Sequence, residues 1–244
     1  MTRTLVLIAD DDPIYRSFIT DVVEASDVEF DDILQAEDGE AAVSIALTHK
    51  IDQVVLDLQM PKLSGVDAAR QIWANNPAAR ILFWSSFADE AYVRSLMRIV
   101  PEQASYGYIL KSTTAERLQV ALEGVFIDGQ YIVDREIRGL QARTESRNEG
   151  LSHIEYDMLI DISLGFTDQY IAERHNLSTR GVQSRLQKLY TKLGVGDEIL
   201  GGSPVYNPRT RAISVAILRG LLNSDLIVRA RERHSAEENS PSRL

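Results

Sequence analysis

Five residues have side chains that could act together on a charged group. Asp10, Asp11 and Asp57 supply carboxylates, Ser85 a hydroxyl and Lys111 an ammonium. Each stands at the end of an aliphatic run: "TLVLIAD", "QVVLDLQ", "RILFWSS" and "YGYILK". A carboxylate is costly to bury unless something pairs with it. Taken singly, each residue has an ordinary explanation as a helix cap, an acidic turn, a loop hydroxyl or a surface cation. Brought together, three carboxylates would raise one another's pKa. A divalent cation bound through oxygen, such as Mg²⁺, would relieve that repulsion. One of the aspartates could then attack a phosphoryl group and carry it as an aspartyl phosphate. The metal and the lysine would neutralise charge on the transferring oxygens.

The elements that must position these residues alternate along the first 130 residues. After "TLVLIAD" comes the helical "PIYRSFITDVVEAS", opened by Pro13 at a favoured first-turn position. "DILQAED" is a strand, and "DGEAAVSIALTHK" a helix capped by Asp38. "QVVLDLQ" precedes the helix "SGVDAARQIWANN", and "RILFWSS" precedes "DEAYVRSLMRIV". "YGYIL" and "TAERLQVALEGVF" close the series. Five β–α units of this kind predict an α/β fold, a flavodoxin-like, doubly wound, five-stranded parallel sheet covered on both faces. In such sheets function collects beyond the carboxyl ends of the strands, where strand order reverses. If the order is 2-1-3-4-5, the first and third strands are neighbours and the acidic residues converge.

At this level of detail the first half resembles the receiver domain of two-component response regulators. "ADDDP", "DLQMP", Ser85 after an apolar strand and "GYILK" carry the likeness. The resemblance implies that Asp57 is the phosphoacceptor. It implies that Asp11, Asp57 and the Gln59 backbone carbonyl bind Mg²⁺ directly, with Asp10 acting through water. Ser85 and Lys111 would contact the phosphoryl group, and Tyr108 would occupy the switch-aromatic position.

Residues 131–150 read as a polar linker, partly helical, and the pattern from 151 to 228 is wholly helical. Ser178 caps a helix running to about Leu193, with Val182, Leu186, Leu189 and Leu193 as its apolar stripe. Thr179, Arg180, Gln183, Ser184, Arg185, Gln187 and Lys188 lie off that stripe. A helix, a short turn and a polar, basic helix have the layout of a helix-turn-helix. "LSHIEYDML", "IAERHNLS", "VQSRLQKLYTKLG" and "NPRTRAISVA" resemble the LuxR-type output domain of NarL/FixJ-family regulators. The resemblance implies that Gln183, Ser184 and Gln187 face bases, while Thr179, Arg180, Arg185 and Lys188 face the DNA backbone. Three departures from that family pattern stand out: Gly181 early in the recognition helix, a long connection from Ser85 to Lys111 containing "RIVPEQAS", and an insertion at 196–206. "RAISVAILRGLLN" reads as the last helix, and residues 229–244 as a disordered tail.

Charge agrees with this division. Residues 1–130 hold 10 Lys and Arg against 21 Asp and Glu, a balance of −11, whereas 131–244 hold 16 against 15, a balance of +1. The absence of cysteine excludes disulfides, thiolate zinc sites and thiol catalysis. The opening "MTRTLVLIADDDP" does not read as a signal peptide, and no run reaches the ~20 apolar residues of a membrane helix. A cytoplasmic regulator is expected. Its partners would be a sensor histidine kinase, double-stranded DNA and, once phosphorylated, a second copy of itself. The alternative keeps DNA binding and reduces the receiver to a dimerisation module that is never phosphorylated. An enzyme, a Mg²⁺-dependent phosphohydrolase built on Asp57, is disfavoured because Gln59 stands where many such enzymes have a second acid.

Overall fold

The computed structural model describes residues 4–86, 88–145, 150–195, 199–200 and 203–238. The chain divides into two compact units. The first comprises residues 1–88 and 92–139, and the second comprises 140–244 with the short segment 89–91.

The first unit is built on strands β1 (Leu5–Ala9), β2 (Asp32–Ala36), β3 (Gln53–Asp57), β4 (Arg80–Ser85), β5 (Tyr106–Leu110) and β6 (Ile132–Val133). They form one sheet in the order β2-β1-β3-β4-β5-β6, every pairing parallel. Helices α1 (Pro13–Glu24), α2 (Gly39–His49), α3 (Gly65–Asn75), α4 (Glu90–Met97) and α5 (Ala115–Phe126) connect the first five strands and follow the fifth. Side chains alternate across a strand, so each apolar run feeds both faces of the sheet. Val6, Ile8, Val55, Leu82, Trp84 and Ile109 pack in one cluster with Ile19 and Val23 of α1 and Leu118 and Leu122 of α5. On the other face Phe83 meets Trp73 of α3, with ring centroids 5.9 Å apart.

The expected order 2-1-3-4-5 is present, with one strand more than expected. β6 has only two residues, too few for any alternation to register, and it lies within the span read as linker. Asp134 fixes it: its N–H donates to the Tyr108 carbonyl (3.0 Å) and its Oδ2 accepts from the Leu110 N–H (2.8 Å). The rest of that span is largely helical, as α6 (Arg135–Glu145). The long connection before β5 is explained by a short α4 followed by a loop over 98–105.

The second unit is helical: α7 (His153–Ser163), α8 (Asp168–Arg174), α9 (Thr179–Lys192), α10 (Pro208–Leu218) and α11 (Ser224–Glu238). Between α9 and α10, two short strands, β7 (Ile199–Leu200) and β8 (Ser203–Pro204), pair antiparallel. They lie in the expected insertion, of which 196–198 and 201–202 are outside the described residues. α7 opens with a capping box between Ser152 and Glu155. Gly220, just past the Arg219 cap of α10, takes φ +66°, a conformation open to glycine at little cost. A further helix, α11, follows. It occupies residues 229–238, where a disordered tail is expected, and 239–244 lie outside the described residues. Its polar composition hides its packing: only Leu226 and Ala230, one turn apart, are buried apolar positions, and Asn223 Oδ1 caps its start by accepting from the Leu226 N–H (2.9 Å).

Candidate functional site

The site in the first unit lies at the carboxyl ends of β1, β3, β4 and β5. β1 and β3 are neighbours, so the residues that follow them, Asp10 and Asp11, meet Asp57 at the tip of β3. One carboxylate oxygen from each of Asp10, Asp11 and Asp57 lies within 4.8 Å of the others. Asp10 and Asp57 are buried and Asp11 is exposed. Lys111, just past β5, reaches across β4 to both buried carboxylates. Its Nζ is 2.7 Å from Asp10 Oδ2 and 3.1 Å from Asp57 Oδ2.

The local chain explains why these groups stay in place. Asp12 caps α1 through the Ile14 N–H, while its own N–H donates to Asp10 Oδ1 (3.0 Å). Arg16, one turn into α1, donates to the Asp10 carbonyl (2.6 Å). The Lys111 N–H donates to the carbonyl of Ser85 (2.8 Å), binding the ends of β4 and β5 together. Behind Asp57 the backbone of α3 comes so close that a Cβ on Gly65 would collide with the Asp57 carbonyl. Only glycine fits there.

Electrostatics follows from this packing. Burial pushes the Asp57 carboxyl up to about 6; Lys111 opposes the shift, the Asp10 charge adds to it, and the Gln59 backbone N–H opposes it. Burial likewise raises Asp10, against the pull of Lys111. For Lys111 burial acts downward, but the two carboxylates outweigh it and hold the ammonium above its ordinary value. All-oxygen donors, two of them buried beside a single cation, fit a small divalent ion that keeps part of its water shell.

Ser85 ends β4 and is buried, one position beyond the Asp57–Trp84 register pair. Gln59 is half-buried, two residues past Asp57. Tyr108 is buried within β5, its ring 6.4 Å from that of Phe83. Two neighbours escape the strand-end reading. Tyr15 in the first turn of α1 places its ring 4.3 Å from Lys111 Nζ. Asp134 accepts from Arg117 Nε (3.0 Å) as well as from the backbone beside Lys111. The signal for Tyr15 is an aromatic residue in a helix turn that starts at the acid cluster. Asp134 has no such signal, because β6 is too short to show.

In the second unit, Thr167 caps α8 and Ser178 caps α9, the latter by accepting from the Gly181 N–H (3.1 Å). Asn176 takes φ +53° in the turn between them. Val182, Leu186, Leu189 and Leu193 are buried, as their spacing predicts. Thr179, Arg180, Gln183, Ser184, Gln187 and Lys188 are exposed, and Arg185 is half-buried. At 100° per residue Arg180, Gln183, Ser184 and Gln187 share one face, Lys188 flanks it, and Thr179 and Arg185 border the buried stripe on either side. The helix is anchored at its far end by Lys192, whose Nζ is 2.8 Å from Glu155 Oε2 and 3.1 Å from the Gly150 carbonyl.

A parallel sheet in this order carries an acid cluster and a lysine at its carboxyl edge, and a helix-turn-helix unit follows it in the chain. Residues 6–123 match the response regulator receiver domain family. Over 226 residues the chain is 29% identical to the transcriptional regulatory protein YdfI of Bacillus subtilis, spanning 90% of this chain and 98% of that protein. It is 27% identical over 202 residues to the nitrate/nitrite response regulator protein NarP of Escherichia coli, spanning 80% and 90%. Among solved structures, that of the two-component response regulator RcsB–DNA complex shares the fold, with a TM-score of 0.57 at 22% identity over 87% of this chain and 98% of that one. Over most of its length the chain is thus similar to transcriptional regulatory proteins, and over residues 6–123 to the response regulator receiver domain. Among the described residues no helix is long and apolar enough to cross a membrane.

Proposed function

We propose that the chain is a DNA-binding transcriptional regulator controlled by phosphorylation of Asp57. The observation that carries this reading is the position of Lys111 Nζ, within 3.1 Å of both Asp10 and Asp57, while a carboxylate oxygen of Asp11 lies within 4.8 Å of one from each of them. A sensor histidine kinase donates the phosphoryl group. The Asp57 carboxylate attacks phosphorus, and the bond to the donor nitrogen breaks. Lys111 holds a positive charge where the transferring oxygens gather negative charge. Asp10, Asp11, Asp57 and the Gln59 carbonyl would hold Mg²⁺, which when bound supplies further neutralisation of those oxygens. Ser85 contacts the phosphoryl group from the end of β4.

The modified site gains charge, as other phosphorylated side chains do. Ser85 and Tyr108 respond by moving toward it, and the surface formed by α4 and β5 changes state. Phosphorylation then promotes dimerisation, for which α10 offers an apolar end: Ile217 is 50% and Leu218 83% exposed. A dimer places two α9 helices in successive major grooves about one helical turn apart. Gln183, Ser184 and Gln187 read base edges, and Thr179, Arg180, Arg185 and Lys188 grip the backbone. In this reading residues 1–130 are the receiver and 151–228 the DNA-binding domain, and the protein works in the cytoplasm.

Gel shift on promoter DNA selected by the protein tests the reading. Treatment with phosphoramidate and Mg²⁺ is expected to tighten binding by wild type and not by Asp57→Asn. Equal binding by all forms would remove the switch and leave the receiver as a fixed dimerisation module.

A further inference from the structure

We infer that Tyr15 is a positioning residue for Lys111, fixing the ammonium at the point where it meets the phosphoryl group; this rests on the phosphoacceptor reading of Asp57. A lysine ammonium has three protons and a flexible four-carbon stem. Asp10 Oδ2 and Asp57 Oδ2 occupy two sides of Nζ, at 2.7 and 3.1 Å. The Tyr15 ring covers another, its centroid 4.3 Å from Nζ. That is well inside the ~6 Å range of a cation–π contact, which strengthens as the cation is desolvated. Here the lysine side chain is only 6% exposed.

The turn that carries the ring is itself held. Tyr15 lies in the first turn of α1, between the Asp12 cap and Arg16, and both of those residues are bonded to Asp10. The α1 turn, the acid cluster and the lysine therefore form one connected unit. The functional consequence concerns reorganisation. When Asp57 takes up the phosphoryl group as an acyl phosphate, the negative charge moves from its carboxylate onto the phosphoryl oxygens, and Lys111 must exchange its contact with Asp57 Oδ2 for one with them. Asp10 alone leaves the flexible stem free to swing. The π face keeps the ammonium in place without competing for the phosphoryl oxygens, because it offers no lone pair that a phosphoryl oxygen must displace. A preset charge of this kind accelerates transfer by avoiding reorganisation. A leucine at residue 15 fills similar space but has no π face.

The test uses the full chain, Mg²⁺ and phosphoramidate. In the reaction an Asp57 oxygen bonds to phosphorus as the P–N bond breaks, and nitrogen leaves as ammonia with the protons it already carries. Tyr15→Phe is expected to react within about twofold of wild type, since the ring remains. Tyr15→Leu is expected to react roughly three- to thirty-fold more slowly, the range of a cation–π contact at a partly desolvated site. In a Lys111→Ala background the same Tyr15→Leu change is expected to have no effect, because the two residues act as a pair. An equal effect in both backgrounds, or no effect in either, overturns the inference. A second measurement is independent of turnover. The Lys111 ε-methylene protons are expected to show an upfield ring-current shift by NMR in wild type and Tyr15→Phe that vanishes in Tyr15→Leu; an unshifted wild-type signal overturns the inference. If wild type forms no acyl phosphate at all, the phosphoacceptor reading fails and this inference with it. If wild type reacts and Tyr15→Leu matches it, only the inference fails.

Discussion

Lys111 Nζ lies 3.1 Å from Asp57 Oδ2, although β5 and β3 are separated in the sheet by β4. The lysine spans that gap because its backbone is tied to the end of β4 through the Ser85 carbonyl. A cation brought across an intervening strand to a buried carboxylate makes the pair sensitive to what else binds there.

The first prediction concerns pH and metal. Burial holds the folded Asp57 carboxyl at about 6, above the ~3.9 of an exposed aspartate. Between those values the folded chain keeps a proton that the unfolded chain has released. This group therefore makes the metal-free protein lose stability as pH rises from about 4 through 6. Asp57→Asn should flatten that part of the stability curve. Mg²⁺ competes with the proton, so millimolar Mg²⁺ should raise Tm by several degrees at pH 7.5 and by much less at pH 5. Thermal denaturation across pH, with and without Mg²⁺, measures both. A Tm gain as large at pH 5 as at pH 7.5 contradicts the acid cluster as the binding site.

Gly181 is the second test point. It sits in the first turn of α9, where its N–H serves the Ser178 cap. An added Cβ would lie 3.2 Å from Ser178 Oγ, a contact that a small rotation of the serine can relieve. Removing the entropy cost of glycine in a helix is worth about 1 kcal/mol. Gly181→Ala should accordingly stabilise the second unit in urea titrations. Destabilisation would mean that the cap cannot yield.

The proposed DNA contacts divide by the face of α9 they occupy. Gln187→Ala should relax base preference at one position of a selected site and cost about 1–3 kcal/mol there. Lys188→Ala should weaken binding on all sequences alike, lowering the salt slope by about 0.9. Arg185→Ala should have the smallest effect of the basic residues, since it turns toward the stripe. Fluorescence anisotropy over a salt series separates these outcomes.

A buried carboxylate supports the turn of the same motif. Asp161 in α7 has Oδ2 2.6 Å from His175 Nε2 and Oδ1 3.6 Å from Arg174 Nε. Burial raises its carboxyl, with His175 opposing. Asp161→Leu removes the carboxylate from both neighbours and should cost about 3 kcal/mol; Asp161→Asn, which can still bond to His175, should cost less. DNA affinity should fall in parallel, because His175 begins the turn before Ser178. Chemical denaturation and anisotropy on the two variants give the comparison.

How much of this was legible beforehand depended on pattern length. β1, β3, β4 and β5 each carry an apolar run with a reactive residue at the end, so the parallel sheet followed from the alternation with helices, and the meeting of Asp10, Asp57 and Lys111 followed once the order 2-1-3-4-5 was assumed. α9 was equally plain, because its stripe repeats over four positions. β6 was invisible, since two residues carry no period and the strand depends on Asp134, a tertiary hydrogen bond. α11 was hidden for a related reason: charged side chains surround Leu226 and Ala230, and the composition resembles a solvated tail. Tyr15 was overlooked because its role depends on a distance to a lysine 96 positions away.

The most direct measurement is the mass of the intact chain after incubation with phosphoramidate and Mg²⁺, followed by peptide mapping. The account predicts one added phosphoryl group, located on Asp57, absent without Mg²⁺ and absent from Asp57→Asn. No added mass in wild type, or the same addition in Asp57→Asn, would contradict it.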